Sequence, residues 1–204
     1  MIPAGGTLVD VGCGACQITT HLAAYFDRVL GIDFSPTMLE AAQRRIDELA
    51  VHNIELMLGT MQQFPFPIRN ADVVLSYGVC QYLSLADLRQ HLDQVDNVLS
   101  PAGTACLALV PNSEFRSWYR LNILGGKKRT ASDRLAWRAT LLYRMTGALL
   151  ARNLLWDGIG NWFSRDDIEN VADRCGFDVD FRHCWFYEYR FHALLRRKNL
   201  SRRE

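Results

Sequence analysis

Short apolar runs alternate with longer amphipathic stretches along most of the chain. The runs are rich in Val, Ile, Leu and aromatic residues, as in β-strands, whereas the stretches repeat apolar residues at the three- to four-residue spacing of helices. Strands are predicted at residues 7–11, 28–33, 54–58, 71–77, 104–110, 178–185 and 187–195. Helices are predicted at residues 15–25, 37–50, 85–99 and 165–175, with Ser84 and Ser164 as N-caps.

The order of these elements indicates the fold class. Strands that alternate with helices favour a parallel sheet whose two faces are covered by helices, so we expect an α/β protein. The last two strand patterns, at residues 178–185 and 187–195, leave no room for a crossover helix between them. We therefore expect these two strands to pair in antiparallel orientation.

Residues 113–157 interrupt the alternation with a mainly helical and basic pattern. Nine basic and two acidic residues give residues 113–152 a net charge of +7, whereas the whole chain carries only +1. Because this insert follows the fifth strand, it is placed to cover the crevice in which open α/β sheets bind ligands. We expect a lid whose arginines meet an anionic group.

Two other interpretations of the insert stay open. It could be a solvated helical hairpin with basic faces, or it could contact a membrane surface through leucines that lie beside its arginines. A second subunit could also help to close the site, which would make the protein a homodimer.

Composition bounds the class of protein. A chain of 204 residues with 49% hydrophobic residues fits one domain, expected to span residues 1–204. No apolar run approaches the roughly 20 residues that cross a bilayer, and the N-terminus lacks a signal-peptide pattern, so a cytoplasmic location is expected. The six cysteines lack the paired spacing of metal clusters. We expect free, buried thiols and no metal.

The first strand leads into the most informative turn of the chain. Its apolar run ends at Asp10 and enters a Gly-Cys-Gly turn, and the second strand ends at Asp33, nineteen residues after Gly14. Glycines let the backbone approach a ligand, and a carboxylate at the next strand end accepts from ribose hydroxyls. A dinucleotide site would carry a third glycine where Gln17 stands, which disfavours a nicotinamide cofactor.

Residues 9–16 read Val-Asp-Val-Gly-Cys-Gly-Ala-Cys and resemble motif I of the class I S-adenosylmethionine-dependent methyltransferases, whose usual form is L-D-x-G-C-G-x-G. The chain departs from this form at Cys16, where the family usually has its last glycine. Further similarities keep family order over residues 1–112 and 158–196. They lie at residues 31–39, 58–66, 71–78, 99–104 and 162–179, and Thr60 replaces a usual Asp in the second of them.

The resemblance implies a Rossmann-like class I methyltransferase fold. Its seven-stranded, mostly parallel sheet would have the strand order 3-2-1-4-5-7-6, with an antiparallel last strand and a helical insert after the fifth strand. The implied cofactor is S-adenosyl-L-methionine and the implied product is S-adenosyl-L-homocysteine. The implied reaction is methyl transfer to a small-molecule acceptor, at an oxygen or a nitrogen, while transfer to carbon stays open. The basic insert favours an anionic acceptor.

By the same resemblance, residues at the strand ends are expected to bind the cofactor. Gly12 and Gly14 would cradle its methionyl part, Asp33 would accept from the ribose, and Asp10 would order the glycine turn. The full expected set is Asp10, Gly12, Cys13, Gly14, Asp33, Phe34, Met38, Thr60, Met61, Gln62, Ser76 and Tyr77.

No general base follows from the sequence. Many members of the family carry His in the segment that corresponds to residues 79–83, where this chain has Gln81 and Tyr82. Methyl transfer is therefore expected to depend mainly on positioning. Substrate contacts are expected from Gln81, Tyr82, Asn112, Arg116 and Tyr119, of which Tyr82 and Tyr119 are the weak candidates for acid or base chemistry.

Two alternative functions stay open. A methyltransferase-like binding protein without turnover would fit Cys16, Thr60 and the missing histidine. An RNA or protein methyltransferase would fit the basic insert. However, base-modifying enzymes of this fold typically carry an Asn/Asp/Ser-Pro-Pro-aromatic segment where residues 76–79 read Ser-Tyr-Gly-Val, so nucleic acid is disfavoured as a partner.

Overall fold

A single sheet organises the part of the protein that the structure describes. The computed structural model describes residues 5–60, 69–120 and 158–198, and seven strands within these ranges form the sheet. Their order is β3-β2-β1-β4-β5-β7-β6. The strands are β1 (Thr7–Val11), β2 (Arg28–Asp33), β3 (Ile54–Leu58), β4 (Ala71–Tyr77), β5 (Leu99–Pro111), β6 (Phe177–His183) and β7 (Arg190–Arg197).

Strand directions match the predicted topology. The pairs that join β1 to β5 are all parallel, whereas β7 is antiparallel to both β5 and β6. β1, β2 and β4 are almost fully buried, which explains why their sequences are near-continuous apolar runs. The predicted fold class and strand order are confirmed.

Two of the predicted helix starts are confirmed by their caps. The hydroxyls of Ser84 and Ser164 each accept from the backbone N–H three residues on, and the aspartate there accepts from the serine N–H. Such capping boxes satisfy two otherwise free donors at a helix start. The described helices are α1 (Thr19–Leu22), α2 (Pro36–Glu48), α3 (Leu85–Val98), α4 (Arg116–Arg120) and α5 (Arg165–Arg174).

The helix predicted at residues 15–25 is wrong in extent. The chain forms only the single turn α1 and then a 3-10 turn at Ala23–Tyr25. Cys16 has a φ of +54°, a left-handed backbone conformation that no α-helix contains, so the glycine turn continues through this residue. The helical pattern of the sequence therefore begins before the helix does.

The predicted starts of β5 and β7 also differ from the structure. β5 begins at Leu99 instead of residue 104, because Leu99 already pairs with Ala71 before an irregularity in the register. β7 begins at Arg190 instead of residue 187, because the Arg190 N–H donates to the Tyr187 carbonyl at 3.0 Å and closes a turn ahead of the strand. The connection between β6 and β7 is consequently a loop of aromatic residues.

Hydrophobic clusters cover both faces of the sheet. Adjacent β1 residues Leu8 and Val9 belong to different clusters, because successive side chains of a strand point to opposite faces. The larger cluster includes Leu88 and Leu92 of α3 and Ile168 of α5. Burying one such side chain contributes about 1.5–3 kcal/mol. This packing on two sides fixes the carboxyl ends of β1, β2 and β4 at one edge of the sheet.

The six cysteines are free thiols, as predicted. Five of them are buried, but Cys175 at the end of α5 is partly exposed, so the prediction of burial is wrong for this residue. Helix α5 ends there, and its last turn is closed by the Cys175 N–H.

Most of the predicted insert lies outside the described residues. Its first part is described and forms a 3-10 turn at Ser113–Phe115 followed by α4. Residues 121–157 lie outside the described ranges, so the lid and its alternatives stay predictions. Within the described part of the chain, the helices are too short or too polar to cross a membrane.

Candidate functional site

The turn after β1 brings backbone, and no bulky side chain, to the edge of the sheet. Gly12 and Gly14 have φ values of +79° and +54°, a conformation that favours glycine. A Cβ atom on Gly12 would lie 2.5 Å from Cγ2 of Val79, whereas a Cβ atom on Gly14 would meet nothing within 4 Å. Gly12 therefore permits close packing, and Gly14 leaves open space above the turn.

Asp33 ends β2 and holds this glycine turn. Its Oδ2 atom accepts the N–H of Gly14 at 2.8 Å, and its Oδ1 atom accepts the N–H of Ser35 at 2.9 Å. A carboxylate offers about four acceptor sites. Asp33 therefore retains acceptor capacity for hydroxyl groups of a ligand.

Asp10 lies buried beneath the turn. Its Oδ2 atom accepts from the Thr19 hydroxyl at 2.5 Å, whereas its Oδ1 atom has no hydrogen-bond partner. Burial raises the pKa of Asp10 to about 6, the bond from Thr19 acts against this, and the charge of Asp33 adds to it. A buried acceptor without a partner costs free energy that a bound cation or water would offset.

A cavity of about 950 Å³ runs along this edge of the sheet. Its size lies in the upper part of the range of about 300–1,000 Å³ for small-molecule sites. We call its two parts the glycine-loop end and the tyrosine end. The glycine-loop end is lined by Val11, Gly12, Gly14, Ile32, Asp33, Phe34, Ser35, Met38, Gly59 and Thr60. The tyrosine end is lined by Tyr77, Gly78, Val79, Gln81, Tyr82, Leu83, Leu109, Tyr187, Tyr189 and Arg190.

Arg190 is fixed at the tyrosine end by neutral groups. Its Nη1 atom donates to the Leu109 carbonyl at 2.7 Å, and its Nη2 atom donates to Oε1 of Gln81 at 2.9 Å. The guanidinium carbon lies 5.9 Å from the ring centre of Tyr187 and 5.5 Å from that of Tyr189. These contacts hold a cation in one orientation among aromatic rings.

Leu109 has an unusual backbone in the middle of this arrangement. Its φ is +58°, at a point where the pairing of β5 with β7 shifts register. Such a conformation costs about 1–2 kcal/mol in a residue with a side chain. The bulge is held from β7, because the Leu109 carbonyl accepts from Arg190 and its N–H donates to Nδ1 of His192 at 3.3 Å.

Comparison with known proteins supports one family. The sequence model of the methyltransferase domain matches residues 8–103. The demethylmenaquinone methyltransferase of Listeria welshimeri is 32% identical over 108 residues, which cover 50% of this chain and 44% of the relative. The chain therefore spans less than half the length of that relative. A demethylmenaquinone methyltransferase of Tropheryma whipplei is 27% identical over 198 residues, covering 96% of this chain and 76% of the relative.

A solved structure agrees with the sheet order. The S-adenosylmethionine-dependent methyltransferase of Clostridium acetobutylicum superimposes with a TM-score of 0.66 at 14% identity, covering 95% of this chain and 84% of the other. Residues 8–103 therefore match the methyltransferase domain, and the described sheet has the fold of class I S-adenosylmethionine-dependent methyltransferases. The family predicted from the sequence is confirmed.

The glycine-loop end of this methyltransferase domain fits S-adenosylmethionine chemically. The cofactor brings ribose hydroxyls, and Asp33 has acceptor capacity left after its two backbone contacts. It also brings an ammonium group, and Asp10 has an oxygen without a partner beneath the turn. Open space above Gly14 leaves room for the ligand, which a Cβ atom would occupy.

The structure brings nine of the residues predicted for the site of the methyltransferase domain to the cavity. Some of these nine residues were expected to contact the cofactor and the others the substrate. They are Gly12, Gly14, Asp33, Phe34, Met38, Thr60, Tyr77, Gln81 and Tyr82. Met61 and Gln62 lie outside the described residues.

Three predicted cofactor residues do not line the cavity. Asp10 lies beneath the turn, and Cys13 packs toward Gly31, where an added Cβ atom would lie 3.1 Å from its sulfur. Ser76 is buried on the helix side of β4, where its hydroxyl is hydrogen-bonded to Nε2 of His91 at 2.8 Å. The side chains of these residues therefore support the site from below.

Three predicted substrate residues also lie away from the cavity. Asn112 is buried and its Oδ1 atom accepts the Glu114 N–H, so it caps the short 3-10 turn. Arg116 begins α4 and does not line the cavity. Tyr119 packs behind the wall, with its ring centre 4.8 Å from that of the lining residue Tyr189. Of the two weak catalytic candidates, only Tyr82 lines the cavity.

Sequence analysis missed the residues just before β7 and at its first position. Tyr187, Tyr189 and Arg190 line the tyrosine end, although the sequence pattern placed all three within a strand. Strand direction offered the missing signal. Because the last strands were expected to be antiparallel, the start of β7 must lie beside the carboxyl ends of the parallel strands, where such folds bind ligands.

Tyr77 is a poor base at the tyrosine end of the cavity. Burial raises the pKa of Tyr77, with smaller contributions from Tyr187 and Cys184, while Arg190 acts against them. A phenol whose pKa is raised stays protonated at neutral pH and can donate a hydrogen bond, but it cannot readily remove a proton.

Proposed function

We propose that the protein binds S-adenosylmethionine at the glycine-loop end and methylates an oxygen, nitrogen or carbon of a small acceptor held at the tyrosine end. The observation that carries this proposal is the continuity of the cavity. It joins the Gly12–Gly14 turn and Asp33 directly to Tyr77, Tyr82, Tyr187 and Tyr189. A donor and an acceptor could therefore bind side by side in one cavity.

The cofactor would be held by a small set of groups. Asp33 would accept from the ribose hydroxyls, the backbone of Gly12 and Gly14 would lie against the methionyl part, and Phe34 with Met38 would flank the adenine. Thr60 offers a hydroxyl where a carboxylate is usual in the family. When bound, the cofactor supplies a methyl group activated by a sulfonium charge.

Positioning would carry most of the rate enhancement. Among the described lining residues, Asp33 is the only carboxylate and no histidine is present, and Asp33 lies at the opposite end from the tyrosines. Holding two reactants in line can supply several kcal/mol of the barrier without a base. An acceptor that is ionised before it binds would need no proton removed.

Aromatic side chains favour a planar acceptor. Tyr77, Tyr82, Tyr187 and Tyr189 all line the same end of the cavity, and aromatic rings stack on planar molecules. The relatives from Listeria welshimeri and Tropheryma whipplei are named for demethylmenaquinone, a quinone. A reduced quinone is therefore the first acceptor to test, followed by other planar phenols.

Calorimetric titration with S-adenosylmethionine and S-adenosylhomocysteine tests the cofactor site. Gly14→Ala and Gly176→Ala form a matched pair, because both glycines have positive φ values, +54° and +81°, and neither added Cβ atom meets a neighbour. Each variant should lose about 1–2 kcal/mol of stability. Only Gly14→Ala, whose methyl group enters the cavity, should weaken binding, by tenfold or more.

The outcomes separate the candidate functions. Wild-type protein that binds neither ligand would contradict the proposal. Binding followed by methyl transfer to a quinol or phenol, detected by mass spectrometry, would support it. Binding without transfer to any acceptor tested would favour the alternative, a methyltransferase-like binding protein, which the departures at Cys16 and Thr60 also fit.

A further inference from the structure

Arg190 carries a positive charge that is unmatched among the described residues. Its two hydrogen bonds go to the Leu109 carbonyl and the Gln81 amide oxygen, both uncharged, and no carboxylate of the described chain forms an ion pair with it. A guanidinium has five N–H donors, so three remain available. A cation that forms no ion pair with the one described carboxylate of its cavity, Asp33, is poised to bind an anion.

The guanidinium is held in place by groups of the protein itself. Two hydrogen bonds of 2.7 and 2.9 Å fix one edge of the group, and the rings of Tyr187 and Tyr189 lie within 6 Å of its carbon. Since an arginine normally gives up much side-chain freedom on binding, this arrangement reduces the entropic cost of recognising a ligand. The strained bulge at Leu109 is part of the arrangement, because it presents the carbonyl that Arg190 contacts.

Gln81 is oriented by the same contact. The guanidinium can only donate, so the amide atom that faces it is the oxygen. The amide N–H groups of Gln81 are then left as donors on a residue that lines the cavity. The backbone of Gln81 is also fixed, because its carbonyl accepts the Asn161 N–H at 2.8 Å.

The described lining residues place opposite charges at the two ends of the cavity. Asp33 is the only acid among them and Arg190 is the only cation, with tyrosine rings around the cation. The tyrosine end is thus complementary to a flat molecule that carries negative charge at its edge.

We propose that Arg190 determines acceptor specificity by binding an ionised oxygen of a planar acceptor, and that Gln81 positions the guanidinium of Arg190. The ionised oxygen belongs to a carboxylate, an enolate or a phenolate. This inference rests on the proposed function, because it takes the molecule at the tyrosine end to be the methyl acceptor. It assigns anion recognition to the start of β7, whereas the sequence pattern suggested arginines of the insert.

Two matched pairs of probes test the assignment by calorimetry. One pair is 2-hydroxy-1,4-naphthoquinone, which is ionised at neutral pH, and its neutral 2-methoxy analogue. The other is 1-naphthoate and neutral 1-naphthamide. Each probe is titrated into the protein with and without S-adenosylhomocysteine, so that the Arg190 site is tested even if the cofactor product fails to bind. The two pairs distinguish an enolate from a carboxylate.

Wild-type protein is expected to bind the anion of at least one pair tenfold or more tightly than its neutral partner. Arg190→Met should abolish this preference and leave the affinity for S-adenosylhomocysteine within twofold of wild type. Arg182→Met is the matched control, because Arg182 is an exposed arginine of β6 that pairs with Asp180. It should preserve the preference.

Several results would overturn the proposal. They are equal binding of anionic and neutral probes by wild type, no binding of any probe, or a preference that survives in Arg190→Met. Thermal melting checks that the variant folds. If Arg190→Met does not fold, Arg190→Lys tests the proposal instead. Lysine keeps the positive charge but lacks the planar guanidinium, so this variant should retain only part of the preference for the anionic probe. Failure of S-adenosylhomocysteine to bind would instead contradict the proposed function.

Discussion

Asp33 and Gly14 are joined by a hydrogen bond of 2.8 Å from the Gly14 N–H to the carboxylate. The residue expected to hold the ribose therefore also holds the turn that approaches the ligand. A change at Asp33 should act on both the cofactor and its cradle, and the two effects can be separated by comparing variants.

Asp33→Ala is expected to weaken S-adenosylhomocysteine binding by about 1–3 kcal/mol, because ribose hydroxyls lose their acceptor. Asp33→Asn should lose less, because its amide oxygen can still accept one of the two N–H groups. Asp27→Ala is the matched control, since Asp27 accepts the N–H of Gly6 at 2.7 Å and does not line the cavity. Calorimetry should show unchanged affinity for the control. Unchanged affinity in Asp33→Ala would contradict the placement.

Cofactor affinity should depend on pH through Asp10. Burial raises the pKa of this carboxyl to about 6, so it is protonated in the folded protein below that pH. Protonation of Asp10 contributes to the stability of the fold. This contribution is fully present below pH 3.8, the pKa of the carboxyl in the unfolded chain, and is lost as the pH rises through 6. A ligand with an ammonium group favours the ionised form, so affinity should rise between pH 5 and pH 7.

Two variants check this assignment by calorimetry at several pH values. Asp10→Asn should remove the rise in affinity. Thr19→Val should move the rise to higher pH, because the Thr19 hydroxyl bond lowers the pKa of Asp10. The same pH dependence in Asp10→Asn as in wild type would assign it to another group.

His91 should make the fold less stable in acid. Burial lowers its pKa to about 4, below the ordinary value of 6.5, so between these values the unfolded chain binds the proton and the folded chain does not. Above pH 6.5 this residue does not reduce the stability of the fold. As the pH falls from 6.5 toward 4, the lowered pKa of His91 makes the fold progressively less stable. Urea unfolding of wild type and His91→Gln at pH 7, 6 and 5 should show a shallower decline for the variant.

The exposed His52 provides the control for that series, because His52→Gln should leave the pH dependence as in wild type. Ser76→Ala should cost about 1–3 kcal/mol at pH 7, since it leaves the buried His91 ring without its 2.8 Å partner. An equal pH slope in wild type and His91→Gln would contradict the buried, neutral imidazole.

Neither predicted tyrosine is expected to act as a general base. Tyr82→Phe and Tyr119→Phe, made separately, should each reduce turnover by less than the roughly 10²–10⁴-fold attributed to such a base. Tyr25→Phe serves as the control, because Tyr25 is exposed and does not line the cavity. A larger fall in kcat for Tyr82→Phe, with cofactor and acceptor binding intact, would show that Tyr82 is catalytic.

Local patterns explain why the glycine-loop end could be predicted. One strand-helix-strand unit contains Asp10, Gly12, Gly14 and Asp33. In such a unit the residues that form the turn and the strand ends lie close together in the sequence. The capping serines of α3 and α5 are equally local. The residue types themselves specify the geometry in these places.

The tyrosine end depends on contacts that no local pattern encodes. Arg190 meets Gln81 and Leu109 because a hairpin at the end of the chain returns beside β5, and a bulge turns the Leu109 carbonyl toward it. Ser76 was expected to bind the cofactor because it lies near a strand end, but it is buried and its partner His91 comes from a helix packed behind the sheet. Tertiary packing decided these positions.

The two ends of the cavity also differ in how far apart along the chain their contacts lie. The Gly14–Asp33 bond closes 19 residues, whereas the Arg190–Gln81 bond closes 109. In an unfolded chain the longer closure costs about 1.5 kcal/mol more in entropy. A chain emerging from the ribosome can thus assemble the glycine-loop end early, but it cannot build the tyrosine end until β7 has been synthesised. The acceptor specificity that we propose for Arg190 therefore depends on a part of the chain that is made well after the cofactor turn.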